Sequence, residues 1–369
     1  MMNPIHYNLP TKIFMEKNCV QNHSEIFPQL GHKAMLVTGR HSAKANGSQN
    51  DILEILKKHH IDYTLFDEID SNPDIEIVYK GAKKARAEHV EFIIAIGGGS
   101  PMDAGKAIAL LARQDIAEAD LFTASYTSDV LPMVHIPTTA GTGSEVTQYA
   151  ILSNPRAQTK TSIATSVLFP NYALLDPSYM LDLPREITIH TALDALSHLI
   201  EASLSKKNND LNNALALEGI NAICPALSAL QNNSPLSSID RESLSYASLL
   251  GGIVIAHAGT NIVHALGYSL TYFRHIDHGR ANALLLHRYL EFIETSAPQK
   301  VRVILNALEL TNLDAFRALM DSLLGEKESF TLDELEKYTK IALQAKNTSN
   351  SIASPDENIV LQLYKQSLL

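Results

Sequence analysis

A chain of 369 residues is longer than the ~250–300 at which a single hydrophobic core stops growing, so two domains are expected. Forty acidic against 30 basic residues, a net charge of −10, leave no basic stripe for a nucleic acid to follow, and that partner class is excluded. No apolar run of membrane-spanning length stands out, the N-terminus lacks a basic segment followed by an apolar one, and Cys19 and Cys224 are too far apart for a CxxC pair. The expectation is a cytoplasmic protein with reduced thiols and no membrane partner.

In chain order, residues 1–30 read as a short strand at 12–15 and a helix. KAMLVTG (33–39) reads as a buried strand, 49–61 as a helix, 62–69 as a strand and 74–88 as a helix. EFIIAIGGGS (91–100) is a strand ending in a turn, 101–113 a helix, and LPMVHIPTTAG (131–141) another strand and turn. Strands and helices that alternate over short connections predict a parallel sheet with helices on both faces, and a ligand beyond the carboxyl ends of its strands. Short strands are expected over 145–176.

The turn Gly97-Gly98-Gly99-Ser100 lets the backbone approach a ligand closely. Ser100 suits the N-cap, Pro101 the first helical position and Asp103 the third, close to a capping box. Free N–H groups and the helix dipole there suit a pyrophosphate, although a glycine turn that binds nothing has the same sequence. A P-loop is excluded by Ser100 and Ala107, and a Rossmann fingerprint by Met102 and by Gly39-Arg40-His41 after the first strand. The loop from Pro137 to Glu145, with Thr138, Thr139, Thr142 and Ser144, offers donors and acceptors for a ribose or an amide, or simply a polar turn.

Beyond about residue 184 strand patterns vanish, and nine segments read as helices: 188–205, 210–232, 240–257, 258–270, 281–293, 298–308, 312–324, 331–345 and 355–367. The fold expectation is therefore an α/β nucleotide-binding domain over residues 1–180 and an all-helical domain over 181–369. Asp194 and His198 are four apart at helical spacing, which stacks carboxylate and imidazole on one face. His264 falls in a second helical segment, and His278 with Gly279 just ahead of a third. One carboxylate and three imidazoles suit a divalent transition metal. Spacing alone equally allows a local salt link and ordinary buried histidines.

GGGSPMDAGKA (97–107), PTTAGTGSEVT (137–147), TALDALSHLIEA (191–202) and the VHALG and DHG histidines resemble, in the same order, the iron-containing (group III) alcohol dehydrogenases. The resemblance runs over nearly the whole chain. It implies a dehydroquinate synthase-like fold and a metal held by Asp194, His198, His264 and His278. That metal is expected to be Fe2+, with Zn2+ or another divalent ion as the alternative. It also implies a nicotinamide cofactor at Gly39, Gly98, Ser100, Asp103, Thr138, Thr139, Thr142, Ser144 and Lys160. The reaction implied is hydride transfer between a small primary alcohol and its aldehyde, in a homodimer or larger homo-oligomer. The alternatives are a zinc-dependent glycerol-type polyol dehydrogenase and a catalytically retired binder; members of the glycerol type lack a His at the position of His198.

Two departures from the family pattern matter. The family's usual second His, one turn after the third ligand, is Tyr268 here, so Tyr268 and bound water become candidates for the proton path, with Tyr268 and His278 as the expected catalytic residues. Where NAD-preferring members carry an Asp after the first strand, this chain has Gly39, followed by Arg40, Ser42 and Lys44, which favours NADP(H) over NAD(H).

Overall fold

The structure is a computed structural model, and it describes residues 5–369. The chain forms two compact units. One comprises Leu9–Thr139 and Gly143–Leu183; the other comprises Ala140–Thr142, Pro184–Leu369 and residues 5–8.

The first unit follows the expected alternation. Its elements are β1 (Lys12–Met15), α1 (Cys19–Asn22), β2 (Lys33–Thr38), α2 (Ser42–Ala45), α3 (Ser48–Lys58) and β3 (Asp62–Phe66). After these come α4 (Ile75–Ala87), β4 (Phe92–Gly97), α5 (Gly99–Arg113), β5 (Met133–Pro137), β6 (Tyr149–Asn154), β7 (Thr159–Ala164) and β8 (Tyr172–Leu175). Six strands form one sheet in the order β1-β8-β5-β4-β2-β3, with every pairing parallel. The remaining two, β6 and β7, form an antiparallel hairpin.

Neighbouring residues on a strand point to opposite faces, and both faces are covered here. Met35, Val37 and Ile93 pack with α4 and α5, whereas Ala34, Leu36, Phe92, Ile94 and Ile96 pack with α1 and α3. From β2 the chain runs outward to β3 and then returns to the other side of β2 as β4. The switch point of the sheet therefore lies at the carboxyl ends of β2 and β4, beside Gly39 and the glycine turn.

That turn corrects one expectation. Helix α5 begins at Gly99 with Gly98 as its N-cap, so Ser100 and Pro101 are its second and third residues and no side chain caps it. The first four N–H groups of a helix have no intrahelical partner, so Pro101 is tolerated at the third position. Released from capping, Ser100 Oγ accepts the Asn72 N–H at 3.2 Å, and Asp103 reaches toward the loop at Ser144.

The second unit contains α6 (Arg185–Ser203), α7 (Asp210–Gln231), α8 (Ser238–Ala258), α9 (Ile262–Arg274) and α10 (His278–Glu294). It continues with α11 (Pro298–Ala307), α12 (Leu313–Leu324), α13 (Leu332–Ala342) and α14 (Glu357–Leu368). Helix α6 is buried along nearly its whole length from Thr188 onward and packs against α7, α8 and α10, with Asp194, His198 and Glu201 among its buried residues. Contrary to the sequence reading, α7 is long and apolar enough to span a membrane by length and composition. Its buried residues Ala216, Gly219, Ile220, Ile223 and Leu227 recur at helical spacing and line the side packed on α6 and α8. Helices α8 and α9 meet at a sharp bend of 111° through Gly259, Thr260 and Asn261. His278 is the first residue of α10, three positions earlier than the expected start at 281.

Candidate metal centre and nucleotide loops

Three helices bring the four expected ligands together. Asp194 and His198 lie one turn apart on α6, His264 lies in the first turn of α9, and His278 opens α10. Asp194 Oδ1 is the common point: His198 Nε2 lies 4.0 Å from it, His264 Nε2 3.7 Å and His278 Nε2 3.9 Å. The ligating atoms of Asp194, His198 and His264 all fall within 4.8 Å of one another, and these three side chains are buried. His278 is the more open member, with 22% of its side chain exposed.

The ring orientations suit metal binding. His198 Nδ1 donates to the Gly141 carbonyl at 3.3 Å, and His264 Nδ1 is hydrogen-bonded to the fully buried Glu201. A neutral imidazole with its proton on Nδ1 presents a lone pair at Nε2. Burial pushes the His198 imidazole down to about 4, with Asp194 pulling it back up, so the ring is neutral.

The donor set itself tests the fit of a metal. Asp194 Oδ1, His264 Nε2 and His278 Nε2 all face one amide nitrogen, Asn282 Nδ2, at 3.0, 3.2 and 3.3 Å. Its two protons cannot serve three acceptors, and Asn282 Oδ1 is buried without a partner. Lone pairs converging on one point in a low-dielectric site are what a divalent cation offsets, so these residues fit the implied metal.

Two of these features escaped the sequence reading. Glu201 and Asn282 are ordinary helix residues by pattern, and their partners lie 60 or more positions away for Glu201 and 88 for the Asn282–Asp194 bond. Tyr268 sits one turn beyond His264, and its ring stacks on His278 with centroids 5.5 Å apart and planes 18° apart. The two residues expected to be catalytic are therefore in ring contact.

The loops expected to meet a nucleotide gather at the switch point of the first unit. Thr138 N–H donates to the Gly97 carbonyl at 2.9 Å, and a methyl group on Gly98 would lie 3.1 Å from Thr139 Oγ1. Lys160 Nζ donates to Asn72 Oδ1 at 3.0 Å, and the Asn72 N–H donates to Ser100, which joins two expected residues through one the sequence reading missed. Asn72 holds a left-handed backbone (φ 59°) just before Pro73, and the Asn-Pro dipeptide was the available signal.

Asp103 and Ser144 face each other. Ser144 Oγ donates to Asp103 Oδ1 at 2.6 Å, and the Ile151 N–H donates to Asp103 Oδ2 at 3.1 Å. Beneath them, fully buried Lys106 donates to Ser144 Oγ, Thr147 Oγ1 and the Tyr149 carbonyl at 2.8, 3.1 and 2.8 Å. Burial pushes the Lys106 ammonium down to about 8, while Asp103 and Glu145 pull it upward. Thr142 belongs to the helical unit together with Gly141. After Gly39, Arg40 and Lys44 pair with Asp70 and Asp67 at 3.3 and 2.8 Å.

Comparison with known proteins agrees with this arrangement. The model of the iron-containing alcohol dehydrogenases matches residues 10–177, and that of the C-terminal region of the same family matches 188–368. The chain belongs to the iron-containing alcohol dehydrogenase family. It is 35% identical over 301 residues to a 1,3-propanediol dehydrogenase of Citrobacter freundii, covering 80% of this chain and 76% of that one. It is 29% identical to an NADPH-dependent butanol dehydrogenase of Clostridium saccharobutylicum, covering 87% and 82%. A solved iron-containing alcohol dehydrogenase of Thermotoga maritima superposes with a TM-score of 0.90 at 34% identity, over 98% of this chain and 99% of that one.

Proposed function

We propose that this chain interconverts a small primary alcohol and its aldehyde by hydride transfer, with Fe2+ and NADP(H) as its cofactors. The observation that carries the reading is the convergence of His198, His264 and His278 Nε2 on Asp194 Oδ1. These four residues would hold the ion, which supplies Lewis acidity toward an alcohol or aldehyde oxygen when bound. A bound nicotinamide dinucleotide supplies or accepts the hydride.

The chain's own groups do the rest. Gly98 and the free N–H groups at the start of α5 receive the pyrophosphate. Ser100, Thr138, Thr139 and Lys160 line the dinucleotide. Asp103 and Ser144 brace the loop through Lys106. Thr142 belongs to the same loop sequence. Tyr268, stacked on His278, exchanges the proton of the alcohol. Two free cysteines support a reducing cytoplasmic setting, and a homo-oligomer follows from the family resemblance.

NADP(H) use rests on Gly39, Arg40 and Lys44 at the end of β2, and the Clostridium relative is named for NADPH dependence. Exposed ion pairs are worth about 0–1 kcal/mol, so Arg40 and Lys44 can exchange Asp70 and Asp67 for a 2′-phosphate, which makes stronger charge-assisted bonds. A second reading, NAD(H) use, is favoured by those same aspartates, whose charge repels a phosphate. The ratio of kcat/KM for NADPH and NADH decides: a preference for NADPH that Arg40→Ala abolishes supports the first, and a clear NADH preference the second.

Elemental analysis of the purified protein, with NADPH consumption on short aldehydes, tests the main reading. His264→Ala is expected to lose both metal and turnover. A metal-free variant with full turnover would refute it.

A further inference from the structure

Glu201 lies on α6, two turns from Asp194, and is fully buried. A buried carboxylate is costly unless its oxygens are satisfied. Here Oε1 accepts the N–H groups of Asn261, Val263 and His264 at 3.1, 2.7 and 3.3 Å, the N-cap and first turn of α9. Those donors lie at the positive end of α9, so Oε1 is satisfied by the backbone. Asn261 Nδ2 also donates to the Glu201 backbone carbonyl at 2.8 Å, which locks the two elements together. The other oxygen, Oε2, is thereby left to face His264 Nδ1.

We propose that Glu201 is a positioning residue for the metal centre, fixing the His264 proton on Nδ1 so that the ring presents its lone pair at Nε2. The inference rests on the metal reading above and adds to it a named cause for the tautomer of one ligand. With Oε1 accepting three backbone N–H groups, the carboxylate acts as an acceptor toward α9, and the ring nitrogen facing Oε2 donates. The lone pair then falls on Nε2, which lies 3.7 Å from Asp194 Oδ1.

Glu201→Gln separates this role from packing. The variant is nearly isosteric, and its amide oxygen can keep the backbone donors of α9. Its NH2 then faces His264 Nδ1 as a donor, so the ring proton moves to Nε2 and blocks the ligating atom.

The experiment has two readouts on metal-free wild type and Glu201→Gln, with folding checked by circular dichroism. One is affinity for Co2+ by competition with a chelator, expected to fall about 10- to 100-fold in the variant. The other is the tautomer of 15N-labelled histidine, with the His264 signal assigned by its loss in His264→Ala. The proton is expected on Nδ1 in wild type and on Nε2 in Glu201→Gln.

Wild-type affinity retained unchanged in a folded Glu201→Gln overturns the positioning role and leaves the metal reading standing. Absence of Co2+ affinity in wild type overturns both. If the variant does not fold, the wild-type tautomer still decides, because a proton on Nε2 overturns the proposal.

Discussion

Gly279 passes so close to α6 that a methyl group there would sit 1.8 Å from the His190 carbonyl oxygen and 3.0 Å from Asp194 Cβ. Only hydrogen in place of a side chain lets the start of α10 carry His278 to the carboxylate. Gly279→Ala is expected to cost at least the ~1–3 kcal/mol typical of overpacking. It should also weaken metal binding, because His278 is displaced with the helix. Calorimetry and a metal titration check the two effects, and unaltered metal affinity would refute the link.

Tyr268→Phe keeps the ring on His278 and removes only the hydroxyl. A fall in kcat of about 100-fold or more, with KM little changed, is expected if the phenol exchanges the proton; steady-state kinetics decide. At this scale the sequence reveals side chains that meet along one helix, such as Asp194 and His198. Glu201 and Asn282 act on groups far away in the chain, and no local spacing encodes such a meeting.

At the scale of elements, α5 and the loop after β5 are tied by charges placed in the interior. Burial pushes the Glu145 carboxyl up from its ordinary 4.5 to about 7, with Lys106 opposing the shift. The folded state therefore holds that proton more tightly than the unfolded chain does. Its contribution to stability is fully present below about pH 4.5 and is lost as the pH rises through about 7. Lys106, lowered from 10.5 to about 8, contributes stability above about 10.5 that is lost as the pH falls through about 8.

Denaturation of wild type and Glu145→Gln across pH 4–8 isolates the first term. Wild type should lose stability relative to the variant as the pH rises through this range, and parallel curves would count against a buried carboxyl. The strands and helices here were legible because apolar runs and 3.6-residue spacing are local properties. The start of α5 was misplaced because the hydroxyl and carboxylate suited to capping are drawn instead to Asn72 and Ser144, across the fold.

For the whole molecule, a metal that binds only the folded helical unit must stabilise it. With free metal at about 100 times its Kd, the gain is about 2.7 kcal/mol, and the melting temperature should rise accordingly. His264→Ala should show no such rise, and a chelator should reverse it in wild type; thermal melts read both. The change from a parallel sheet to helices was legible from the point where strand patterns stop. The grouping of Ala140–Thr142 with the helical unit was not, because it depends on the Gly141 carbonyl meeting His198.

The corner between α8 and α9 decides which way the first turn of α9 is aimed. Read as composition alone, the two segments together qualify as one lipid-crossing rod. Gly259, at φ +67° with Asn350 Nδ2 only 2.9 Å from where a methyl would stand, forces the break that keeps them apart. Without that turn the N–H groups of Asn261, Val263 and His264 would swing away from α6, and the buried oxygens of Glu201 would lose their backbone donors.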